Sequence, residues 1–313
     1  MTWRTWFGAG DQAPSEQGPR DPLLPALSVE QAAALTEVTR RVLAERGVDA
    51  VVDEGVVQLP GGRSRGLVNL SVTVANAPFE EWPALVARHM AQMDELERRG
   101  PEPFEPHQVL PRLVTAETAT PPPDYPAPEV LPGVLALVAV DHPTSVATRM
   151  DGLDDLGGYQ AAWELAMTNL ANLPDLPADP LLADLADPGS TVWVLAGDDF
   201  FGATRVLVLE QLLAANDITV GAAGLLVAVP HRDLILLHVL TGPGVVQGLN
   251  LMLRLAARQH AGGQGPLVPD VFHLGPDLLA GGATQVTRHE EGRVVVQVSG
   301  SFATAMAGLE LLG

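Results

Sequence analysis

The chain has 313 residues with 38 acids against 18 bases, a formal charge of −20, and every base is Arg because Lys and Cys are absent. That composition excludes a lysine Schiff base, a Walker-type phosphate-binding lysine, a thiolate nucleophile and sulfur-ligated zinc. The negative field opposes the phosphate neutralisation on which nucleic-acid binding depends, and its ordinary role is solubility.

Residues 1–27 read as a flexible tail, with Trp3, Trp6 and Phe7 as the large apolar side chains of an otherwise polar Gly/Pro-containing start. No basic start leads into an apolar core there, as a secretory signal would require. No apolar run approaches the roughly 20 residues of a membrane span. The expectation is a soluble cytoplasmic protein with no membrane, nucleic-acid or cofactor partner.

Residues 28–99 form the first predicted unit. Ser28 is placed to cap a helix whose apolar residues Val29, Ala32, Leu35, Val38 and Val42 recur at helical spacing up to Gly47. Residues 49–52 and 55–59 read as short strands, and Val68, Leu70, Val72 and Val74 alternate with polar residues as a third strand. Gly61 to Gly66 is expected to be a mobile hairpin tip exposing Arg63 and Arg65. A second helix is predicted over 80–99 through Trp82, Leu85, Val86, Met90 and Met93. From 100 to 132 prolines recur every few residues, which predicts a linker or extended strap, with 109–114 able to pair as an edge strand.

Residues 133–313 form the second predicted unit. Strands are expected at 134–140 and 145–149 around an Asp141-His142-Pro143-Thr144 turn, a helix at 159–172, a strand at 191–196 and a helix at 201–215. Strands at 224–229 and 234–240, a helix at 245–259 and a last hairpin, 285–288 with 293–298, complete the reading. Tight connections between successive strands favour an α+β fold, two units of mainly antiparallel sheet packed by helices.

Three blocks carry a resemblance. Asn169-Leu170-x-x-Leu173-Pro174 resembles a helix end, Asp198 with Ala203-Thr204-Arg205-Val206-Leu207 an acidic loop and helix start, and Val229-Pro230-His231-x-Asp233 a hairpin, of the bacterial YtpQ-like family. The order of elements in the first unit also suits that family, whereas the proline-rich middle, Asp199-Phe200 and the loss of Lys depart from it. The family has no established activity. The resemblance therefore implies a fold and a neighbourhood of residues, namely Asn169, Asp198, Thr204, Arg205, His231 and Asp233, but no chemistry.

Each constellation has an ordinary structural explanation. Asp198 and Asp199 precede a helix, where carboxylates cap amides more often than they bind a cation. Arg205 lies among apolar residues and is expected to pair with Asp198 or Asp233, or else to receive an anion. Pro230-His231-Arg232-Asp233 is hairpin-turn chemistry unless His231 serves as an oriented base. Gly242-Pro243-Gly244 and Gly248 depart from the spacing of a dinucleotide loop. No Gly-x-Ser-x-Gly elbow is present to anchor a hydrolytic triad, and no paired His spacing points to a metal.

Three functions remain in order of preference. The first is a non-enzymatic protein-binding module of unknown oligomeric state. The second is an enzyme or small-anion site in which Asp198, Arg205, His231 and Asp233 converge, with no catalytic residue assigned. The third is an immunity-like or chaperone-like partner of a secreted protein.

Overall fold

The computed structural model describes residues 14–15, 18–60, 63–99, 103–119, 121–143, 145–150, 153–290 and 293–311. They divide into two compact units: the described residues before Pro103 together with Ala261–Gly265, and Pro103–His260 together with the described residues from Pro266 onward. Every strand pair among them is antiparallel, so the α+β class holds.

In the first unit, helix α1 (Val29–Glu45) begins at a capping box in which the Ser28 hydroxyl accepts from the Gln31 amide and the Gln31 side chain accepts from the Ser28 amide. Strands β1 (Val51–Asp53), β2 (Val56–Leu59) and β3 (Arg63–Gly66) form a meander, followed by helices α2 (Val68–Ala75) and α3 (Trp82–Arg99). Leu35, Val38 and Val42 of α1, Val52 and Val57 of the meander and Trp82, Val86 and Met90 of α3 share one core.

Three expectations are corrected in this unit. Residues 68–75 form a helix, not a strand: alternation at 68, 70, 72 and 74 also satisfies the i, i+4 spacing of a short buried helix, and Leu70, Val72 and Val74 are buried there. Within the expected tail, residues 20–27 are structured: Leu24 and Leu27 are buried, and the Asp21 carboxylate accepts from the amides of Leu23 and Leu24. The rest of the tail reading, residues 1–13 and 16–17, lies outside the described residues, as do Gly61 and Gly62 of the expected hairpin tip. Arg65 is only 7% exposed, against the expected surface charge. Its guanidinium donates to Asp94 at 2.8 Å, and Asp94 also pairs with Arg46 at 2.5 Å, so the two cations hold its carboxyl below the usual range.

The second unit begins inside the stretch expected to be a linker. Strand β4 (Val109–Thr115) pairs along its whole length with β6 (Val134–His142), which also pairs with β5 (Glu129–Leu131) and β7 (Ser145–Thr148). Pro111 is tolerated because β4 is an edge strand. The buried Tyr125 hydroxyl accepts from the Val138 amide, tying the intervening proline-rich loop to the same sheet. Helix α4 (Tyr159–Ala171) covers this sheet through Ala162 and Ala166 against Val109, Leu137 and Val138.

A six-stranded sheet follows, built from β8 (Ala178–Leu182), β9 (Thr191–Ala196), β10 (Leu225–Ala228), β11 (Leu234–Val239), β12 (Phe272–Leu274) and β13 (Ala283–Gln285) in the spatial order β13-β12-β10-β11-β9-β8. The predicted helix at 201–215 is divided into a 3-10 segment, Ala203–Val208, and helix α5 (Leu209–Ala215), with Val208 outside helical geometry at φ −116°. These pack on the face carrying Leu195, Leu225, Val227, Ile235 and Leu237. Helices α6 (Val245–Gly262) and α7 (Gly300–Gly308) pack on the other, against Val192, Leu226, Ala228 and Leu236. Strands β14 (Thr287–Glu290) and β15 (Arg293–Val296) form a separate two-stranded ribbon.

Gly244 before α6 and Gly248 within it permit close packing. A Cβ on Gly244 would overlap the Gly189 main chain, and one on Gly248 would overlap the His238 ring. Gly248→Ala is therefore expected to destabilise the protein by about 1–3 kcal/mol despite the better helix propensity of alanine. Urea denaturation measures this, and an unchanged or raised midpoint would refute the packing role of Gly248.

Candidate functional site

The predicted site residues lie around the corner where β9 leaves the six-stranded sheet and the β10–β11 hairpin turns back. The Gly197 amide donates to the Asp233 carbonyl at 2.9 Å and the Ala203 amide to the Arg232 carbonyl at 2.7 Å, fastening the loop 197–203 onto the hairpin. Gly202 permits this approach, since a Cβ there would run into the Asp233 main chain.

Within the corner, Arg205 is 3% exposed and forms a two-pronged pair with Asp199, Nη1 to Oδ1 at 2.9 Å and Nη2 to Oδ2 at 2.7 Å. Its Nη2 also donates to the Pro174 carbonyl at 3.2 Å, while Asp199 Oδ1 accepts from the Phe201 amide at 2.8 Å. Those donors hold the Asp199 carboxyl below its usual range against the opposing effect of burial, which is the largest single influence. Asp199, not Asp198 or Asp233, is thus the partner of Arg205, and Asp198 is exposed. Asn169 lies apart from this pair, its side chain donating to the carbonyls of Pro106 and Val109 at 2.8 Å, and Thr204 is buried.

His231 is not oriented by the Asp233 carboxylate, which stands 3.9 Å from Nδ1. That nitrogen accepts from the Asp233 amide at 3.3 Å, ordinary turn geometry. Asp233 instead bonds Arg232 Nε at 3.2 Å, and burial with the nearby Asp199 raises its pKa. The guanidinium groups of Arg232 and Arg112 both lie over the Phe200 ring, 4.3 and 4.9 Å from its centroid. Arg112 comes from β4, inside the stretch expected to be a linker, and so was missed. Burial, then the charge of Arg232, lowers its pKa. Burial and Asp199 together push the Asp141 carboxyl up.

Two ion pairs, Arg205–Asp199 and Arg232–Asp233, thus stand in this corner, with Arg112 beside them over Phe200. The cavity bordered by Arg205, Pro174 and Gln211 holds only about 10 Å³, close to the volume of one water position. Arg205 has its fork filled by Asp199, and this cavity beside it is too small for an anion. The corner is a structural knot.

A different place has the space and the groups for chemistry. A cavity of about 650 Å³ is bordered by Ala223, Leu240, Pro276, Ala305 and Leu309 with the polar side chains of Thr241, His273, Ser301 and Thr304. His273 belongs to a rung of the six-stranded sheet in which Leu226 lies opposite His238 on β11 and His273 on β12, and His273 lies opposite Thr284 on β13. The first turn of α7 sits above this rung and places Ser301 Oγ 2.8 Å from both His273 Nδ1 and Thr284 Oγ1.

The protonation pattern follows from the acceptors. His273 Nε2 is 2.8 Å from the Ala223 carbonyl, which can only accept, so Nε2 carries the proton in the neutral ring. Nδ1 then accepts from Ser301, and Ser301 accepts from Thr284. His273 is 1% exposed, and burial keeps its pKa below the ordinary imidazole value, partly offset by the Ala223 bond. Sequence reasoning treated His273 as one of eight scattered histidines and left α7 unassigned. The missed signal was an alternation of Phe272, His273 and Leu274 in a strand too short to recognise.

Comparison with known proteins finds no matching family, no matching curated protein and no matching solved structure. Among the described residues, no three His, Asp or Glu side chains gather as a metal-binding set. No helix among them is long and apolar enough to cross a membrane.

Two measurements separate these roles. Asp199→Ala is expected to cost about 2–3 kcal/mol by leaving the buried Arg205 without its carboxylate, while Asp198→Ala changes stability by less than about 0.5 kcal/mol. Equal effects in thermal unfolding would contradict the assignment of Asp199. Burial lowers the pKa values of His89, His231, His238 and His273 from 6.5, so between the folded and unfolded values the unfolded state takes up more protons. Stability from these groups is full above 6.5 and falls as pH drops below it. Asp94 and Asp199, whose pKa values are lowered from 3.8, add a second loss as pH falls below that value. A melting temperature independent of pH between 7 and 5 would contradict this.

Proposed function

We propose that the protein binds a compact, largely uncharged organic molecule in the cavity beneath α7. The observation that carries this reading is an open volume of about 650 Å³ with mainly small and apolar walls and a hydrogen-bonded His273–Ser301 pair in its lining. Ligand sites of this size take their affinity from apolar burial and their selectivity from a few fixed polar groups. Thr241 and Thr304 supply hydroxyls at the wall, and among the described residues no Arg or carboxylate borders the cavity to select a charged ligand.

A second reading, a protein-binding module, is favoured by the β14–β15 ribbon. Consecutive residues Val294, Val295 and Val296 are 41%, 38% and 41% exposed, an apolar strand of the kind that another chain's strand extends. Within that reading, the YtpQ-like resemblance is a proposal about descent that rests on the blocks around Asn169, Arg205 and His231. An immunity-like role has no observation in its favour.

The cavity reading is tested by ligand-observed NMR with a panel of short-chain esters and amides. Binding is expected for the native chain and loss for Ala222→Trp, which places an indole at the exposed rim without disturbing the core. If no member of the panel binds, or if Ala222→Trp binds equally well, the cavity is not the site. Light scattering tests the second reading: Val295→Arg is expected to reduce association with itself or an added strand peptide, and stability changes by less than about 0.5 kcal/mol.

A further inference from the structure

We propose that Ser301 is a nucleophile and His273 its general base in the hydrolysis of small carboxylic esters held in this cavity, an inference that rests on the cavity being the ligand site. The deciding geometry is the pairing of an exposed hydroxyl with a buried, neutral imidazole whose second nitrogen is already fixed. Ser301 Oγ lies 2.8 Å from His273 Nδ1, within reach for direct proton transfer, and the Ala223 carbonyl fixes the tautomer that leaves Nδ1 free to accept.

The surrounding structure supplies the remaining requirements. Ser301 stands in the first turn of α7, a nine-residue helix whose Ser299 cap makes no side-chain hydrogen bond to the turn. First-turn amides lack intrahelical acceptors, and those of Ser301 and Phe302 are the donors nearest in sequence to a developing oxyanion. Thr284 donates to Ser301 and so turns its O–H toward the base, leaving a lone pair for the carbonyl carbon, while Phe302 packs beside His273 at a ring separation of 5.7 Å. Thr284 is a positioning residue.

The step balances without a metal or redox partner. Ser301 Oγ adds to the ester carbonyl carbon as its proton passes to His273 Nδ1. Collapse of the tetrahedral adduct breaks the carbon–oxygen bond to the alcohol, which leaves with that proton. Water then adds to the acyl-serine, gives its proton to Nδ1, and the acid departs as Ser301 Oγ takes the proton back. The orienting group is a neutral carbonyl rather than a carboxylate, so the imidazolium gains less stabilisation than in a Ser-His-Asp triad and turnover is correspondingly slow.

The test uses the full chain with p-nitrophenyl acetate and p-nitrophenyl butyrate, reading release of p-nitrophenolate. Native protein is expected to turn over, with Ser301→Ala lowering kcat/KM about 100-fold or more and Thr284→Val lowering kcat more than it raises KM. Intact mass should show one fluorophosphonate adduct on native protein and none on Ser301→Ala. Because the chain has no Cys, Ser301→Cys introduces a single thiol, and its iodoacetamide alkylation should show thiolate at lower pH than free cysteine if His273 accepts its proton. Ligand binding that persists in NMR without turnover or adduct overturns the esterase inference and leaves the cavity reading standing. Absence of binding in NMR with turnover unaffected by Ser301→Ala overturns both.

Discussion

Burial of polar groups between the six-stranded sheet and its two covering helices is the constraint on which the rest depends. The face under α6 and α7 is otherwise apolar, with Leu226, Ala228 and Leu236 against Met252 and Phe302. Into that face the register of β10, β11 and β12 inserts His238 and His273, one on either side of Leu226. A buried imidazole without hydrogen bonds costs more than its packing returns. The two rings are served differently: His238 Nδ1 bonds the Thr191 carbonyl of β9 and α6 only packs over the ring through Gly248, whereas α7 presents Ser301 to His273. The two rings differ in consequence. Among the described residues His238 Nε2 has no hydrogen-bond partner, while both nitrogens of His273 are engaged beside a cavity.

The opposite end of β11 solves a different problem. There Arg205 pairs with Asp199 and Arg232 with Asp233, while Arg112 bonds the Val146 carbonyl and the Thr148 hydroxyl. Arg205 is buried at the cost of desolvation, which the two-pronged contact with Asp199 and the Pro174 carbonyl offsets. Phe200 receives the guanidinium groups of Arg112 and Arg232 over its ring, and so links β4 to the β10–β11 turn without another carboxylate. Polar residues at a strand end are thus poor guides to a site unless space adjoins them, and here the space lies some distance along the sheet, under α7.

The composition fits this division. With no lysine and no cysteine in the chain, guanidinium is the only permanent side-chain cation, and its planar fork suits fixed carboxylate pairs better than mobile surface contacts. The nucleophiles left to such a chain are hydroxyls, histidines and carboxylates. A hydroxyl beside a neutral imidazole can gain reactivity, and the structure places Ser301 against His273.

By itself the sequence determined the elements whose periodicity is long or whose ends are marked. The helix cap at Ser28, the strand at 191–196, the helix expected at 159–172 and the hairpin around Pro230 follow from local rules and lie close to the observed elements. The antiparallel α+β class follows from short connections. Tertiary structure decided what local rules leave degenerate: residues 68–75 fit a strand or a helix until Leu70, Val72 and Val74 find a core, and the prolines of 103–132 suit a linker until β4 finds β6. It also chose Asp199 over its neighbour Asp198, because one-residue alternatives differ only in which carboxylate the closed loop turns toward Arg205. Ser301 and His273 are 28 residues apart in sequence. Their meeting depends on the register of β12 and the docking of α7, long-range quantities that no local pattern encodes.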